Sequence, residues 1–346
     1  MLAGDDGYSE GTQLDEHDQS LSPEAVHTAE QSRRQIAFIV NPASGVNRSA
    51  VETIQAFMAE QKTHLASELH LTKADGDATR FAQAAVARKV DLVAAYGGDG
   101  TMMEVATGLM GSDVPMLMLP GGTANVMAVD MGIPVVLEDA LALALVHPPT
   151  LREVDMGVID NEHFLLRAGI GYEAEMSASA ERGEKSKRGR WAYVENALNK
   201  MRKLRPSQYI LTIDGEVHVR EGITCMICNS SSIGIPNLRF VHNGSISDGY
   251  LDVIVIRNMH PSTLIRTIFH ILRSTLPSEE SGAAHVDHWQ AKEVTVQMKR
   301  RQFVARDGEP MKRSKRVSAH IIPSAVKIII PAPVTPAEEP ADEPTA

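Results

Sequence analysis

Two cysteines in 346 residues are too few for a disulfide-braced framework. Aromatic residues make up only 4% of the chain, which leaves few platforms on which unpaired bases stack, so nucleic acid is not an expected partner. No apolar run approaches the ~20 residues that span a bilayer, and no basic n-region with an apolar h-region precedes the first strand-like run. A cytoplasmic or membrane-peripheral chain is therefore expected. Lys and Arg are missing from residues 1–30, which hold eight acids, and from residues 332–346, which hold four. The formal net charge of −10 thus sits at the ends, and between them 34 bases face 32 acids. Segments 1–34 and 332–346 have few large apolar side chains and read as acidic tails outside the fold.

What remains is rich in aliphatic side chains. With 43% hydrophobic residues, the chain has enough apolar surface for two cores. Residues 36–40 form a fully apolar run, as a strand covered on both faces does, and Val51, Ile54, Phe57 and Met58 follow at helical spacing. Strand-like residues 65–72, helical 77–88, strand-like 90–95, helical 102–110, strand-like 114–119 and helical 137–146 complete a strict alternation. Such a pattern predicts an α/β domain over 35–150 with an open, mostly parallel sheet. After His147-Pro148-Pro149 the runs become short and alternating: 152–158, 163–168, a hairpin over 209–219 turning at Asp214-Gly215, 224–229 and 251–257. A second, mostly β domain is expected over 151–321, interrupted by helical segments at 175–204 and 262–275. The apolar run 325–330 is a buried strand of either domain. Cys225 and Cys228 lie three apart in a strand, hence on opposite faces, and read as independent buried thiols.

Three glycine-bearing loops leave carboxyl ends of the predicted strands: 41–45, 97–101 and 121–125. Ligands bind at that edge of a parallel sheet. In Tyr96-Gly97-Gly98-Asp99-Gly100-Thr101, bare backbone N–H groups at a helix start suit an anion, while Asp99 would repel phosphate unless a divalent cation lay between them. The pattern points to a nucleotide phosphate chelated with Mg²⁺.

With these residues laid out, the chain resembles the diacylglycerol kinase and sphingosine kinase superfamily, in particular its soluble bacterial lipid kinases, from about residue 36 to 331. The motifs are Asn-Pro-x-Ser-Gly at 41–45, Gly-Gly-Asp-Gly-Thr-x-x-Glu-Val at 97–105, Pro-x-Gly-Thr-x-Asn at 120–125, Asp-x-Gly at 155–157, Asp-Gly-x-Leu-Asp at 248–252 and Asp-Gly-Glu at 307–309. The resemblance implies an N-terminal nucleotide-binding domain, a C-terminal β-sandwich, an active site in the cleft between them, and a final strand, 322–331, returning to the first domain. It implies ATP contacts at Asn41, Thr72, Gly98, Asp99, Gly100, Thr101, Glu104 and Thr123, with Gly45, Gly97, Gly122 and Asn125 in the same loops. It further implies a metal site at Asp248 with the carbonyls of Ser245 and Tyr250, beside Mg²⁺ near Asp99. Glu309 resembles the general base that deprotonates a lipid hydroxyl, and Asp155 an acid near the transferred phosphoryl group. Met103 and Val126 stand where the family often has Asn and Asp.

The resemblance implies an ATP- and Mg²⁺-dependent kinase acting on a diacylglycerol-like or sphingoid lipid at the membrane surface. Rivals are an NAD kinase-like enzyme with a soluble substrate, since NAD kinases share the Gly-Gly-Asp-Gly-Thr loop, and a lipid-sensing module without turnover. Residues 181–205 carry nine bases and three acids, with Trp191, Val194, Leu198 and Met201 at helical spacing, which suits either an anionic membrane or a solvated helix covering the sandwich. A second basic run, 299–301 with 312–316, brackets the Asp307–Glu309 motif. Glu173 and Glu175 follow an apolar strand, where they suit an amino-bearing head group or a helix start. The oligomeric state is left open, a homodimer included.

Overall fold

The computed structural model describes residues 33–45, 49–122, 125–172, 174, 206–230, 232–235, 238–239, 245–257 and 286–332. The segments 175–204 and 262–275, Thr123, Glu173, Glu175 and both acidic tails, apart from Arg33, Arg34 and Ala332, lie outside the described residues.

The first half runs β1 (Arg34–Val40), α1 (Ala50–Glu60), β2 (Leu65–Leu71), α2 (Asp77–Ala87), β3 (Leu92–Gly97), α3 (Asp99–Leu109), β4 (Met116–Pro120), α4 (Val126–Asp130) and α5 (Leu137–Ala142). Its strands stand in the order β2-β1-β3-β4, and every neighbouring pair is parallel. β1 shows why the apolar run is unbroken. Ala37 and Ile39 pack with Ala82 of α2 and Val105 of α3, whereas Phe38 and Val40 pack with Ile54 of α1 and Leu141 of α5. A strand covered by helices on both faces has no polar side to alternate with. The helix expected over 137–146 is shorter, ending in the 3₁₀ turn Leu143–Leu145 ahead of His147-Pro148. The residue before a proline is steered out of helical geometry.

The second half contributes β5 (Thr150–Ile159), β6 (Glu162–Phe164), β7 (Arg167–Gly171), β8 (Ser207–Ile213), β9 (Glu216–Gly222), β10 (Thr224–Cys228), β11 (Ser232–Ile235), β12 (Leu238–Arg239), β13 (Leu251–Ile256), β14 (Val286–Ala291), β15 (Glu293–Gln302), β16 (Val304–Arg306), β17 (Glu309–Pro310) and β18 (Ser314–Ile330). A six-stranded antiparallel sheet, β14-β13-β10-β7-β16-β17, faces β18, β15 and β8 across a core that includes Ile170, Tyr209, Ile227, Val253 and Val296. This is the sandwich. Cys225 faces that core and Cys228 the opposite side, beside Met226 and Ile254, and burial pushes the Cys225 thiol up. The expected strand over 163–168 is split in two, because the amides of Leu165, Leu166 and Arg167 turn to the Asp307 carboxylate instead of a neighbouring strand.

β18 joins the two halves. Its first part pairs antiparallel with β15, residues 319–330 pair antiparallel with β5, and near its end Ile328 pairs parallel with Met116 of β4. The ladder with β5 shifts register between Ile322 and Val326, and Ser324 there takes φ 47°. A bulge of this kind bends a strand. It sits where β18 passes from the sandwich to the parallel sheet.

Candidate active site

The three loops expected to hold a nucleotide lie together at the carboxyl edge of β1, β3 and β4, and hydrogen bonds join them. Asn41 Nδ2 donates to Thr101 Oγ1 at 3.2 Å, Gly98 N–H donates to Ser44 Oγ at 3.3 Å, and Gly121 N–H donates to the Gly97 carbonyl at 2.8 Å. Gly45, at φ 81°, lies so close to the third loop that a Cβ would stand 2.2 Å from the Gly121 carbonyl oxygen. A Cβ at Gly122 would meet the Gly98 Cα at 2.7 Å. Two bare backbones therefore face each other, and side chains would fill the cradle. This fits a phosphate group bound by amides at a helix start.

Asp99 opens α3, and its carboxylate accepts from the amide N–H groups of Val126 and Met127, in the first turn of α4, at 3.4 and 3.5 Å. Position 126, Val here, thus serves Asp99 through its backbone. Thr72 follows β2 and donates its N–H to the Val40 carbonyl at 2.9 Å, so it neighbours the Asn41 loop. Next to it, Asp77 accepts from the amides of Lys73 and Ala74, and the Arg80 bond leads in holding its carboxyl below the usual range. Glu104 on α3 accepts from the amides of Gly76 and Ala78 at 3.1 and 3.2 Å, which fixes the 72–78 loop over the start of α2. Asn125 closes its own loop by exchanging hydrogen bonds with Gly122.

Across from this edge stands the turn between β16 and β17. Asp307 and Gly308 both take positive φ, 44° and 88°, as a two-residue hairpin turn of mirror type requires. Asp307 is held by three amides, those of Leu165 at 2.7 Å and of Leu166 and Arg167 at 2.9 Å. Burial pushes its carboxyl up, and the three donors pull against that. Glu309 emerges beyond the turn, half-exposed, with Arg306 Nη2 at 3.5 Å from its carboxylate and at 3.2 Å from that of Glu162. Gly76, Gly100, Glu104, His163, Arg306 and Glu309 line one cleft of about 530 Å³ between the two halves. Residues expected on the nucleotide side and residues expected on the acceptor side are therefore brought together.

The cleft also holds Asp75 and Glu162, so its acids outnumber its single arginine. Such a lining suits polyphosphate only where a divalent cation accompanies it. Among the described residues, no group of three His, Cys, Asp or Glu closes on a metal by itself. That chemistry fits Mg²⁺, which is held by one or two carboxylates together with phosphate oxygens.

Two of the expected site carboxylates also carry structural hydrogen bonds. Asp155 is 2% exposed, and its oxygens accept from Gly249 N–H at 2.6 Å and Ser324 N–H at 2.8 Å. Its carboxylate pins the β18 bulge to the 248–249 turn. Ser245, Asp248 and Tyr250 do share one loop, yet the Asp248 carboxylate accepts from the amides of Ser245 and Tyr250, at 3.1 and 3.0 Å. Asp248 is thus a turn-forming carboxylate here, with capacity left for a cation on its remaining lone pairs. The clamp role of Asp307 and the contacts of Arg306 and Asp77 escaped the sequence. Asp-Gly between two short apolar runs is the one signal that announces the hairpin, and nothing local announces its distant amide partners.

Residues 35–159 match the model of the diacylglycerol kinase catalytic domain, and residues 167–330 that of the YegS C-terminal NAD kinase beta sandwich-like domain. The chain is 29% identical over 274 residues to a diacylglycerol kinase of Bacillus subtilis (strain 168), covering 78% of this chain and 88% of the relative. It is 27% identical over 283 residues to a Pseudomonas aeruginosa protein named probable lipid kinase YegS-like, covering 81% and 90%. A solved structure of a diacylglycerol kinase from Bacillus anthracis str. Sterne superimposes with a TM-score of 0.64 at 23% identity, over 86% of this chain and 97% of that one, a likeness of fold. With a catalytic domain and a sandwich domain matched in succession, the chain belongs to the diacylglycerol kinase and YegS-like lipid kinase family.

Proposed function

We propose that the protein transfers the γ-phosphoryl group of ATP to a hydroxyl of a diacylglycerol-like or sphingoid lipid at a membrane surface. The observation that carries this reading is the single cleft in which Gly76, Gly100 and Glu104 face Glu309 and Arg306. Phosphoryl transfer asks a protein chiefly to position, to neutralise charge and to accept a proton. The amides of the 97–101 and 121–125 loops would hold phosphate oxygens. Asp99 is the carboxylate nearest those loops and would hold Mg²⁺, which supplies charge neutralisation when bound. Asp248 is a candidate second cation ligand.

Glu309 is assigned the general base. It is half-exposed on the acceptor side, and its Arg306 neighbour leaves one end of the carboxylate toward the cleft. Arg306, in turn, is fixed by Glu162, so the base is aimed by a chain of charges on the sandwich and not by the nucleotide domain. Because α3 brings Gly100 against Glu309, the base stands beside the loop assigned to phosphate. This juxtaposition is what in-line transfer from ATP to a hydroxyl needs.

The test is transfer of radiolabelled phosphate from ATP to a panel of diacylglycerol, ceramide, sphingosine and NAD, with and without Mg²⁺. Mg²⁺-dependent label in one of the lipids is the expected result. Label in NAD alone, or ATP turnover with no labelled lipid, would overturn the reading.

A further inference from the structure

We infer that the basic surface formed by the end of β15 and the start of β18 docks the protein on a bilayer of anionic phospholipid. The inference deepens the lipid-kinase reading and rests on it. Arg301, Lys312, Arg313, Ser314, Lys315 and Arg316 line an open depression of about 760 Å³, five cations and one hydroxyl with no acid among them. It shares no lining residue with the cleft that holds Glu309. Among the described residues none of these five cations makes an ion pair, although the chain as a whole carries ten more acids than bases.

The arrangement is costly to the fold. Gln297 pairs with Arg316 and Gln302 with Ser314, and the ladder loses register between them, where Lys299, Arg300 and Arg301 are exposed. Like charges on adjoining strands repel, and a strand pair gains nothing from crowding them. The Arg313 guanidinium is laid over the Phe303 ring at 3.8 Å, which holds its charge at the surface. Uncompensated cations kept in this way call for an anionic partner.

Position selects the partner. The run 312–316 begins three residues after Glu309, just past β17 and leading into β18, so a surface that binds it lies next to the acceptor side of the cleft. A lipid acceptor must come from a bilayer, and a bilayer bearing anionic head groups meets both the charge and the geometry. An extended, multi-cation face also suits a surface better than one small phosphate. Nucleic acid would want several stacking rings along the track, and Phe303 is the one ring that the described contacts place against these cations.

The experiment uses the full chain and sedimentation with vesicles of phosphatidylcholine, alone or mixed with phosphatidylglycerol. Wild-type protein is expected on the anionic vesicles only, with binding that falls as salt rises. The triple variant Lys312→Gln, Lys315→Gln, Arg316→Gln should lose about 100-fold in affinity for them, from roughly five-fold per base at such a surface. The charge-keeping variant Lys312→Arg, Lys315→Arg, Arg316→Lys should bind as wild type, which separates loss of charge from damage to the strands. Phosphorylation of acceptor dispersed in detergent should be unchanged in the triple variant. Equal binding to neutral vesicles, or full anionic binding by the triple variant, would overturn the proposal. So would tight binding of single-stranded RNA that the triple variant loses while its vesicle binding persists. If no lipid of the panel is phosphorylated by wild type, the functional reading fails, whereas vesicle binding still reports on the surface by itself.

Discussion

Gly100 of α3 and Glu309 of β17, 209 positions apart in the chain, lie so close that a Cβ on Gly100 would stand 2.9 Å from Glu309 Oε1. The absence of a side chain at position 100 is what lets the carboxylate assigned to the acceptor side lean over the loop assigned to phosphate. Glu309→Gln keeps shape and hydrogen-bonding capacity but cannot take a proton. It should lower kcat by roughly 10²–10⁴-fold and leave ATP affinity near that of wild type, as read by steady-state kinetics and by nucleotide titration. Near-full kcat would move the base elsewhere.

Gly100→Ala tests the same contact from the other side. The added methyl meets the far end of a flexible side chain, so folding should be kept while Glu309 is displaced. A kcat loss of up to about 100-fold is expected from a shift of that size. In the Glu309→Gln background the same substitution should add little, because the group that it displaces no longer acts. Additive losses in this double-mutant cycle would show that Gly100 serves the nucleotide alone.

Asp307→Asn should weaken the fold as well as the reaction. One end of the side chain becomes an NH₂ group facing amide donors, leaving at least one of the N–H groups of Leu165, Leu166 and Arg167 without its acceptor. The expected loss is about 1–3 kcal/mol in denaturant unfolding, with a fall in kcat as the Glu309 turn loosens. Unchanged stability would count against the clamp.

Asp155→Asn separates positioning from chemistry. Both carboxylate oxygens are committed to amides on different segments, so the variant should lose stability on a similar scale. Well below its melting temperature it should retain kcat within a few-fold of wild type. A kcat loss like that of Glu309→Gln in a fully folded Asp155→Asn protein would return Asp155 to the reaction.

His163 gives the site a signature in pH. Burial first, and then the Arg306 charge, holds its pKa below the ordinary value of about 6.5. Above that value it is neutral in both folded and unfolded chains and contributes nothing to the pH dependence. As pH falls below it, the unfolded chain takes up the proton first, so stability declines until the folded pKa is also passed. His163→Gln should flatten this part of the acid limb in chemical denaturation run from pH 7 downward.

The parallel half of the fold was legible because its signals are local: apolar runs of strand length, helical periodicity, and glycine loops at strand ends. The family motifs located both faces of the cleft in the same way. What stayed hidden depends on partners far away in the chain. Asp155 reads as an acid like any other until Ser324 and Gly249 are seen to occupy it. The Asp307 carboxylate reads as solvated until three amides of the 165–167 segment close on it. Burial of a polar side chain is a property of the assembled sandwich, and its strands are paired mostly across long separations.

β18 carries a consequence for how the molecule is made. β4 has β3 on one side, and on the other its parallel neighbour is the end of β18, more than two hundred residues downstream. Until those residues are synthesised, the parallel sheet has an open, strongly apolar edge, and such edges invite pairing between chains. A nascent chain therefore has to hold a nearly complete domain with one strand missing throughout synthesis of the sandwich. Slow-forming, long-range pairing of this kind favours misassembly at high expression. Any fragment cut before β18 should accumulate as aggregate while the full chain folds.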